Sequence, residues 1–235
     1  MLRSEKATRR FGFKVAVDAV DLDIRAGYVY AMLGPNGSGK TTWMKMAAGL
    51  VKPSSGAVLF EGRPVGAESR KKVAYMPTEP YFYPWMSVRE LGRYYRDFFG
   101  DFSMDRYREL LGQMELEEGM KAKTLSSGMA AKLKIALTMA RDAKVYLLDE
   151  PFNGIDLLAR DEIRACILRE ARPEKALVLS SHLVEEMEAA ADRAIFIKQG
   201  KLVEEADLEE LRTVAHVSLA DRYRAIFGHA KEARA

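Results

Sequence analysis

The segment GPNGSGKTT at residues 34–42 has the residue types and spacing of a phosphate-binding loop, G-x-x-x-x-G-K-[ST]. Its glycines allow backbone N–H groups to close around phosphate oxygens, and the amino end of the helix predicted after it adds partial positive charge. Lys40 can reach the β- and γ-phosphates of a nucleotide, and the Thr41 hydroxyl can bind Mg²⁺. The predicted nucleotide-binding residues are Gly34, Pro35, Asn36, Gly37, Ser38, Gly39, Lys40, Thr41 and Thr42.

A second segment, VYLLDEP at residues 145–151, places two adjacent carboxylates at the end of an apolar run. Ligands of α/β proteins bind at the carboxyl ends of parallel strands, so these side chains are expected to meet the phosphates there. Asp149 suits Mg²⁺, directly or through a water, and Glu150 suits a base that orients or activates the attacking water. Acidic residues also cap helices after strands, but the phosphate-binding loop upstream favours the catalytic interpretation.

A third segment, LSSG at residues 125–128, precedes a run of helix-forming residues that starts near Met129. Two serines and a glycine at a helix start could hold an anion through hydroxyl and backbone N–H groups. The chain already has a phosphate-binding loop far upstream. These residues alone leave open why one chain would carry two anion sites.

Alternating strand and helix patterns must position these segments. Short apolar strands are predicted before the loop at 34–42, at residues 57–62, 71–77, 145–149 and 176–181, and in a pair at 194–205. Helices are predicted between them, including one that starts at Ser87 with Glu90 completing a capping box, and helical character continues through residues 104–119. This alternation predicts an α/β sandwich with a largely parallel sheet.

Composition and charge narrow the class of protein. The chain has 235 residues, of which 48% are hydrophobic and 30% charged, and its net charge of +3 is too small and scattered to indicate nucleic acid. The locally basic amino end is read as a solvated face (Lys6, Arg9, Arg10 and Lys14). The single Cys166 excludes a disulfide within the chain, and no apolar run is long enough for a membrane span or a signal peptide. We therefore expect a cytoplasmic protein.

With GPNGSGKTT, LSSG and LLDEP in this order, the chain resembles the nucleotide-binding domain of ATP-binding cassette (ABC) transporters over residues 1 to about 205. The resemblance implies a P-loop NTPase sandwich with a mostly parallel sheet, a small antiparallel β part and an inserted helical subdomain at about residues 81–130. The ABC ATPase domain is expected to span residues 1–215, followed by a short helical tail at 216–235.

The resemblance also explains the two anion sites. In this family two such domains form a head-to-tail dimer, and each ATP lies between the phosphate-binding loop of one and the signature segment of the other. Ser126 and Gly128 match that signature and would contact the partner's γ-phosphate. Ser127 and Met129 depart from the family pattern, which implies a weaker or differently tuned closure. Homodimer and heterodimer both stay open.

The family resemblance also implies roles for four further residues. Phe11 is expected to stack on adenine, with core packing as its alternative role, and Asp156 to communicate across the dimer. His182 is expected to contact the γ-phosphate, so that the predicted catalytic residues are Glu150, His182 and Lys40. Thr78 replaces the usual Mg²⁺-binding glutamine: it would act through a water, or Glu79 would substitute. The predicted metal residues are Thr41, Asp149 and Thr78.

The resemblance implies an ATP-hydrolysing subunit of an exporter-type bacterial transporter, attached to the inner face of the cell membrane through a separate permease. Ten of the 22 Phe, Trp and Tyr residues lie in residues 81–107. Four of them at helical spacing are assigned to the insert's own core (Tyr94, Tyr95, Phe98 and Phe99), and three near prolines to permease contact (Tyr81, Tyr83 and Trp85).

Two other functions of the same cassette compete with transport. A non-transport ABC ATPase acting on DNA or ribosomes is the alternative, but it would show tandem cassettes or a long coiled-coil insertion. Only 86 residues separate Lys40 from Ser126, and there is one cassette. A regulatory module that does not hydrolyse ATP is disfavoured by Glu150 and His182. The partners expected are therefore a second ATPase subunit and a membrane permease, with ATP and Mg²⁺ as cofactors and no nucleic acid.

Overall fold

The computed structural model describes residues 1–228, and the final part of the predicted helical tail, residues 229–235, lies outside the described residues. The strands are β1 (Leu2–Phe11), β2 (Lys14–Ile24), β3 (Val29–Leu33), β4 (Ser55–Phe60), β5 (Arg63–Pro64), β6 (Val73–Met76), β7 (Val145–Asp149), β8 (Ala176–Ser181), β9 (Arg193–Lys198) and β10 (Lys201–Asp207). The helices are α1 (Lys40–Ala47), α2 (Ala67–Arg70), α3 (Val88–Phe98), α4 (Met104–Gln113), α5 (Ser127–Met139), α6 (Leu157–Leu168), α7 (Val184–Glu188), α8 (Leu208–Thr213) and α9 (Leu219–Phe227).

A six-stranded sheet carries the chemistry-bearing segments, in the order β10-β9-β3-β8-β7-β6. All neighbours pair in parallel except β10, which runs antiparallel to β9. Every residue of β3, β7 and β8 is buried, as expected for strands covered by helices on both faces. The loops that follow β3, β6, β7 and β8 therefore lie together at one edge of the sheet, where these parallel strands end.

A four-stranded antiparallel sheet, ordered β2-β1-β4-β5, lies beside the parallel one. Trp43 of α1 is buried in the apolar core that the two sheets share, and its indole N–H donates to Ser4 Oγ at 3.2 Å. This arrangement confirms the predicted α/β sandwich with a mostly parallel sheet and a small antiparallel part. No helix within residues 1–228 has the length and apolar character needed to cross a lipid bilayer.

Helix α3 begins where its capping box predicts. The Glu90 N–H donates to Ser87 Oγ at 3.2 Å, and the Ser87 N–H donates to Glu90 Oε2 at 2.6 Å. That backbone donor lowers the pKa of Glu90 to about 2. The predicted helix through residue 119 is wrong beyond Gln113, because Glu115 takes a left-handed φ of 55° and ends the helical path.

The aromatic segment differs from its prediction at Phe98. This residue is 67% exposed, so its assignment to the insert's core is wrong. Tyr81 is half-buried: one side packs against the core, and its hydroxyl contacts Lys134 O and Thr138 Oγ1 at 3.5 and 3.3 Å. Its contact with a permease stays a prediction. Helical spacing groups residues on one face but does not say which part of that face another element covers.

Two further features complete the fold. Cys166 is buried in α6, and burial raises the pKa of its thiol to about 11. Helix α9 lies in the segment predicted as a helical tail; its Leu219 is buried, and the Leu219 N–H donates to Glu188 of α7 at 3.0 Å. At its other end, Lys198 Nζ donates to Ile226 O at 2.7 Å.

Candidate nucleotide site

The phosphate-binding loop, residues 34–42, lies between β3 and α1 and depends on glycine at two positions. Gly34 and Gly39 have φ values of 156° and 112°. A Cβ at Gly34 would lie 2.2 Å from Ile197 O, and one at Gly39 would lie 2.5 Å from Ala16 O. Because no side chain tolerates such contacts, only glycine lets this backbone curl as it does.

Lys40, the first residue of α1, lies folded back across this loop. The residue is 5% exposed, and its ammonium donates to Gly34 O at 2.6 Å. Burial lowers the pKa of Lys40, while the charges of Glu150 and Asp149 oppose that shift. Ser38 Oγ is buried nearby with no hydrogen-bond partner among the described residues. An unpaired hydroxyl beside a buried ammonium fits a phosphate group that would accept from both.

A cavity of about 360 Å³ opens above the loop; we call it the nucleotide pocket. Most of the predicted site residues meet in it, drawn from the loops after β3, β6, β7 and β8. Its lining comprises Lys14, Ala16, Asn36, Gly37, Ser38, Gly39, Lys40, Thr41, Thr42, Thr78, Glu79, Glu150, Asn153 and His182. Gly34 and Pro35 are not part of this lining, but their carbonyls accept from the Lys40 ammonium at 2.6 and 3.4 Å.

Asp149 lies behind the pocket wall, 1% exposed. Its Oδ1 accepts from Ser180 Oγ at 2.6 Å and its Oδ2 from the Tyr75 hydroxyl at 3.4 Å. Burial, followed by the neighbouring Asp149 charge, raises the pKa of Tyr75, so this phenol stays protonated and continues to donate. The two donors fix the carboxylate at the end of β7.

Glu150 reaches into the pocket because its backbone is left-handed, with φ at 51°. Such a conformation costs a non-glycine residue roughly 1–3 kcal/mol and is concentrated at functional sites. The Glu150 N–H donates to Ser180 Oγ at 3.0 Å, which holds the turn in place. His182 Nδ1 lies 2.8 Å from Glu150 Oε2, and the imidazole also lines the pocket. The pair has the geometry of a base oriented by a second group.

Thr78 and Glu79 line the same pocket from the loop that follows β6. The Thr78 hydroxyl donates to Asp149 O at 3.3 Å, so it lies at the end of β7 beside the carboxylates. The Thr41 and Thr78 hydroxyls and the Asp149 carboxylate are all oxygen donors, the class that Mg²⁺ prefers. Within residues 1–228, no three or more His, Cys, Asp and Glu side chains cluster as a metal site of their own.

The signature segment, residues 125–129, is not part of the lining described for this pocket. Ser126 caps α5: its Oγ accepts from the Met129 N–H at 3.2 Å, so the helix begins two residues before the predicted Met129. Ser126 is exposed, and Ser127 has no left-handed φ. Asp156 Oδ2 lies 3.9 Å from the position of a Cβ on Gly128, which places these two predicted residues side by side.

Phe11 also lies outside the lining, at the end of β1. Its ring is 49% exposed, and the Arg9 guanidinium carbon lies 4.5 Å from the ring centroid. Phe11 pairs across the β1–β2 turn with Lys14, which does line the pocket. The ring is therefore adjacent to the rim and open to solvent on that side of the hairpin.

Sequence reasoning missed three lining residues. Lys14 was grouped with the solvated basic end; it is exposed as expected, but it also forms the rim. Ala16 follows it on β2 and carries no chemical signal. Asn153 precedes Asp156 in the loop after Glu150, so the motif that identified Asp156 contained it as well.

Sequence comparisons identify relatives of this chain. The model of the family described as ABC transporter matches residues 17–153. The chain is 32% identical over 211 residues to the "Lantibiotic transport ATP-binding protein SrtF" of Streptococcus pyogenes, covering 89% of this chain and 92% of that protein. It is 34% identical to the "Uncharacterized ABC transporter ATP-binding protein YhcH" of Bacillus subtilis (strain 168), covering 87% of this chain and 69% of that protein.

Solved structures share the fold. The one titled "Structure of ATP binding subunit of ABC transporter" superposes with a TM-score of 0.86 at 24% identity, covering 96% of this chain and 99% of its own. A dimeric ADP- and Pi-bound state of the ATP-binding cassette MJ0796 superposes with a TM-score of 0.78 at 23% identity, covering 88% and 99%. At these identities the superpositions establish the architecture described above.

Proposed function

The chain belongs to the ABC transporter family and is an ATP-binding ATPase of that family; we propose that two such subunits pair head to tail around ATP and drive a separate membrane permease. ATP would bind in the nucleotide pocket of one subunit, and the signature segment of the other would cover its γ-phosphate. Loss of that phosphate would release the pair. Closing and opening would then move the attached permease.

One observation carries this proposal: the two anion-binding features of the chain lie apart. The nucleotide pocket gathers residues from four loops, whereas Ser126 is exposed at the start of α5 and is not among the residues that line the pocket. A helix start that presents a serine O–H and the N–H groups of its first turn suits a phosphate that another molecule supplies. A second ATPase subunit, identical or related, would supply it.

Within the pocket, the residues divide the chemistry between them. Lys40 would transfer its hydrogen bond from Gly34 O to the β- and γ-phosphates, and the open hydroxyl of Ser38 would donate beside it. Glu150 would accept a proton from the attacking water. His182, bonded to Glu150 Oε2, would keep that carboxylate in place while its other ring nitrogen faces the γ-phosphate. Phe11 would stack on adenine at the rim.

The metal that this chemistry requires would be held by oxygen atoms of the chain. Thr41, Asp149 and Thr78 would bind Mg²⁺ directly or through water, and the ion would neutralise charge on the phosphates. Asp149 is fixed for this role by Ser180 and Tyr75. Glu79 also lines the pocket, and its carboxylate would take the place of Thr78 if the threonine hydroxyl does not reach the ion.

The variant Ser126→Arg tests the shared site. A bulky cation at the helix start would clash with the opposed pocket and its Lys40, so ATP should no longer produce dimers in a background where hydrolysis is blocked. ATP binding to the chain's own pocket should be unchanged, because Ser126 does not line it. Light scattering coupled to gel filtration measures the first result, and calorimetry measures the second. A dimer that forms normally would contradict the head-to-tail arrangement.

An exposed aromatic cluster on the helical insert supports permease contact. Tyr83 and Trp85 stack with ring centroids 4.8 Å apart, and Tyr83 meets Tyr94 edge to face at 5.8 Å. Tyr94 continues to Phe98 at 4.6 Å. Trp85 and Phe98 are 64% and 67% exposed. Large aromatic side chains in one open patch supply much contact energy at low entropic cost, as protein interfaces require.

Replacing Trp85 with Ala should weaken permease binding by about 2 kcal/mol, which is the size of an aromatic interface anchor. Co-purification with the permease should fall, while ATP affinity stays unchanged, because Trp85 lies outside the nucleotide pocket. Val214→Ala is the control, since Val214 is an exposed apolar residue that follows α8, beyond β10 at the opposite edge of the sheet. Equal co-purification of both variants would remove Trp85 from the interface.

We infer the cellular setting from what the relatives are named for. A relative named for lantibiotic transport and one named as an ABC transporter ATP-binding protein, both of bacteria, support a bacterial transport system, and we propose that it is of the exporter type. The chain would then act at the inner face of the cell membrane through its permease. The ATPase domain would span residues 1–215, with the helical subdomain at about 81–130 and the tail at 216–235. No observation favours the alternative of a DNA- or ribosome-directed ABC ATPase.

A further inference from the structure

Lys134, on the second turn of α5, is a buried cation outside the predicted machinery. Its side chain is 7% exposed, and within residues 1–228 it forms no ion pair with a carboxylate. The ammonium donates instead to two backbone carbonyls, Thr78 O at 2.5 Å and Pro77 O at 3.3 Å. Burial lowers the pKa of Lys134, and the charges of Glu79 and Asp149 oppose that shift.

Such a residue is costly for stability alone. An ammonium taken out of water without a carboxylate partner loses more hydration than two carbonyl contacts return. A methionine would fill the same volume with no charge to desolvate. The reason for a lysine therefore lies in what it holds, and both carbonyls belong to the loop that lines the nucleotide pocket.

The held loop is fixed from two sides. The carbonyl of Thr78 accepts from Lys134, while its hydroxyl donates to Asp149 O at 3.3 Å. Three residues further on, the Tyr81 hydroxyl contacts Lys134 O and Thr138 Oγ1 on the same helix. The segment at residues 77–81 is thus clamped to α5 at both ends, with Thr78 and Glu79 presented to the pocket between them.

The same helix carries the signature segment. Helix α5 begins at Ser127, directly after its cap Ser126, and Lys134 lies two turns along it. A single rigid element therefore joins the residues proposed to face the partner's nucleotide with the loop that faces the chain's own nucleotide. A shift of α5 on dimer closure would therefore reach Thr78 through the Lys134 contacts.

We propose that Lys134 is a positioning residue that sets Thr78 and Glu79 at the metal end of the pocket and couples them to the signature helix. The inference rests on the proposed function, since it assumes that ATP and Mg²⁺ bind in this pocket. The threonine side chain is shorter than the glutamine that the family has at this position. The backbone of Thr78 must therefore be held closer to the ion, and that needs a support from outside the loop. Lys134 supplies that support.

The test compares Lys134→Met with Lys132→Met in the full chain. Lys132 lies on the same helix, but its ammonium pairs with Glu162 Oε2 at 2.7 Å, away from the loop. The affinity for a non-hydrolysable ATP analogue is measured by calorimetry in Mg²⁺ and in EDTA. Lys134→Met should lose affinity in Mg²⁺ by about 10- to 100-fold, the usual cost of removing the support of a metal ligand. Its affinity in EDTA should be unchanged.

Lys132→Met should bind as the wild type does under both conditions, and Lys134→Arg, which keeps the charge, should restore most of the lost affinity. A folded Lys134→Met variant with wild-type affinity in Mg²⁺, or an equal loss in Lys132→Met, would overturn the inference. If Lys134→Met does not fold, Lys134→Leu carries the same test, because leucine also removes the donor to Thr78 O. A wild-type chain that binds no nucleotide would instead refute the proposed function.

Discussion

The variant Glu150→Gln should bind ATP with wild-type affinity and lose about 10²- to 10⁴-fold in turnover, the range expected for removal of a general base. Glutamine has the size of glutamate and can occupy the same left-handed backbone, and it can keep a hydrogen bond to His182 Nδ1. It cannot accept a proton from water. Phosphate release measures turnover, and calorimetry measures affinity.

The same variant should accumulate dimers. Because ATP stays intact between the two subunits, magnesium-ATP should shift the protein to twice its mass on a sizing column. Glu185→Gln is the control, because Glu185 follows His182 but does not line the nucleotide pocket. A normal rate of hydrolysis in Glu150→Gln would refute the assignment of the base. A strictly monomeric ATP complex would refute the shared site.

The variant Lys40→Met should lose both ATP binding and turnover. The ammonium is the buried cation of the phosphate-binding loop, and charge-assisted hydrogen bonds to phosphate are worth about 3 kcal/mol, or roughly 100-fold in affinity. Lys45→Met on the same helix is the control, since Lys45 does not line the pocket. Calorimetry with ATP should separate the two variants. Equal affinities would show that Lys40 does not contact the phosphates.

Lys40→Met should lower the affinity for ATP, but it should not lower the stability of the ligand-free fold. Burial lowers the pKa of Lys40, so the folded chain binds this proton less tightly than the unfolded chain does. Charged Lys40 therefore lowers the free energy of unfolding, and this loss is greatest at pH values below its pKa in the folded chain. The loss becomes smaller as pH rises from the pKa of Lys40 in the folded chain to its pKa in the unfolded chain. Methionine has no such penalty, so the ligand-free variant should melt at or above the wild-type temperature near neutral pH. A lower melting temperature would mean that the Gly34 contact outweighs the desolvation cost.

The parts of the site that sequence predicts well are those fixed by local chemistry. The loop at 34–42 needs glycine at Gly34 and Gly39 because a Cβ at either position would clash with a backbone carbonyl oxygen. The capping box at Ser87 and Glu90 likewise involves residues only three apart. Such features can be predicted from the spacing of residues in the sequence. The order of the three motifs along the chain indicates the family, and the family resemblance predicts the fold.

What the sequence did not predict depends on contacts between distant residues. Lys134 and Thr78 are 56 residues apart, and no pattern around either residue indicates their hydrogen bond. Phe98 is exposed, against its assignment to the insert's core, because helical spacing does not indicate which part of a helix face another element covers. The sequence pattern does not separate β1 from β2, because bulges at the left-handed residues Lys6 and Ala19 interrupt the alternation of apolar and polar residues.

The burial of Cys166 has a practical consequence for watching the proposed motion. This is the chain's one sulfhydryl, and with 3% exposure and a pKa of about 11 it stays protonated and unreactive toward maleimide dyes at neutral pH. A cysteine introduced at an exposed position outside the proposed contacts, such as Val214, would therefore be the sole labelling point. Fluorescence energy transfer between two copies labelled in this way would follow the approach of the subunits in real time, without removal of any native residue from the core.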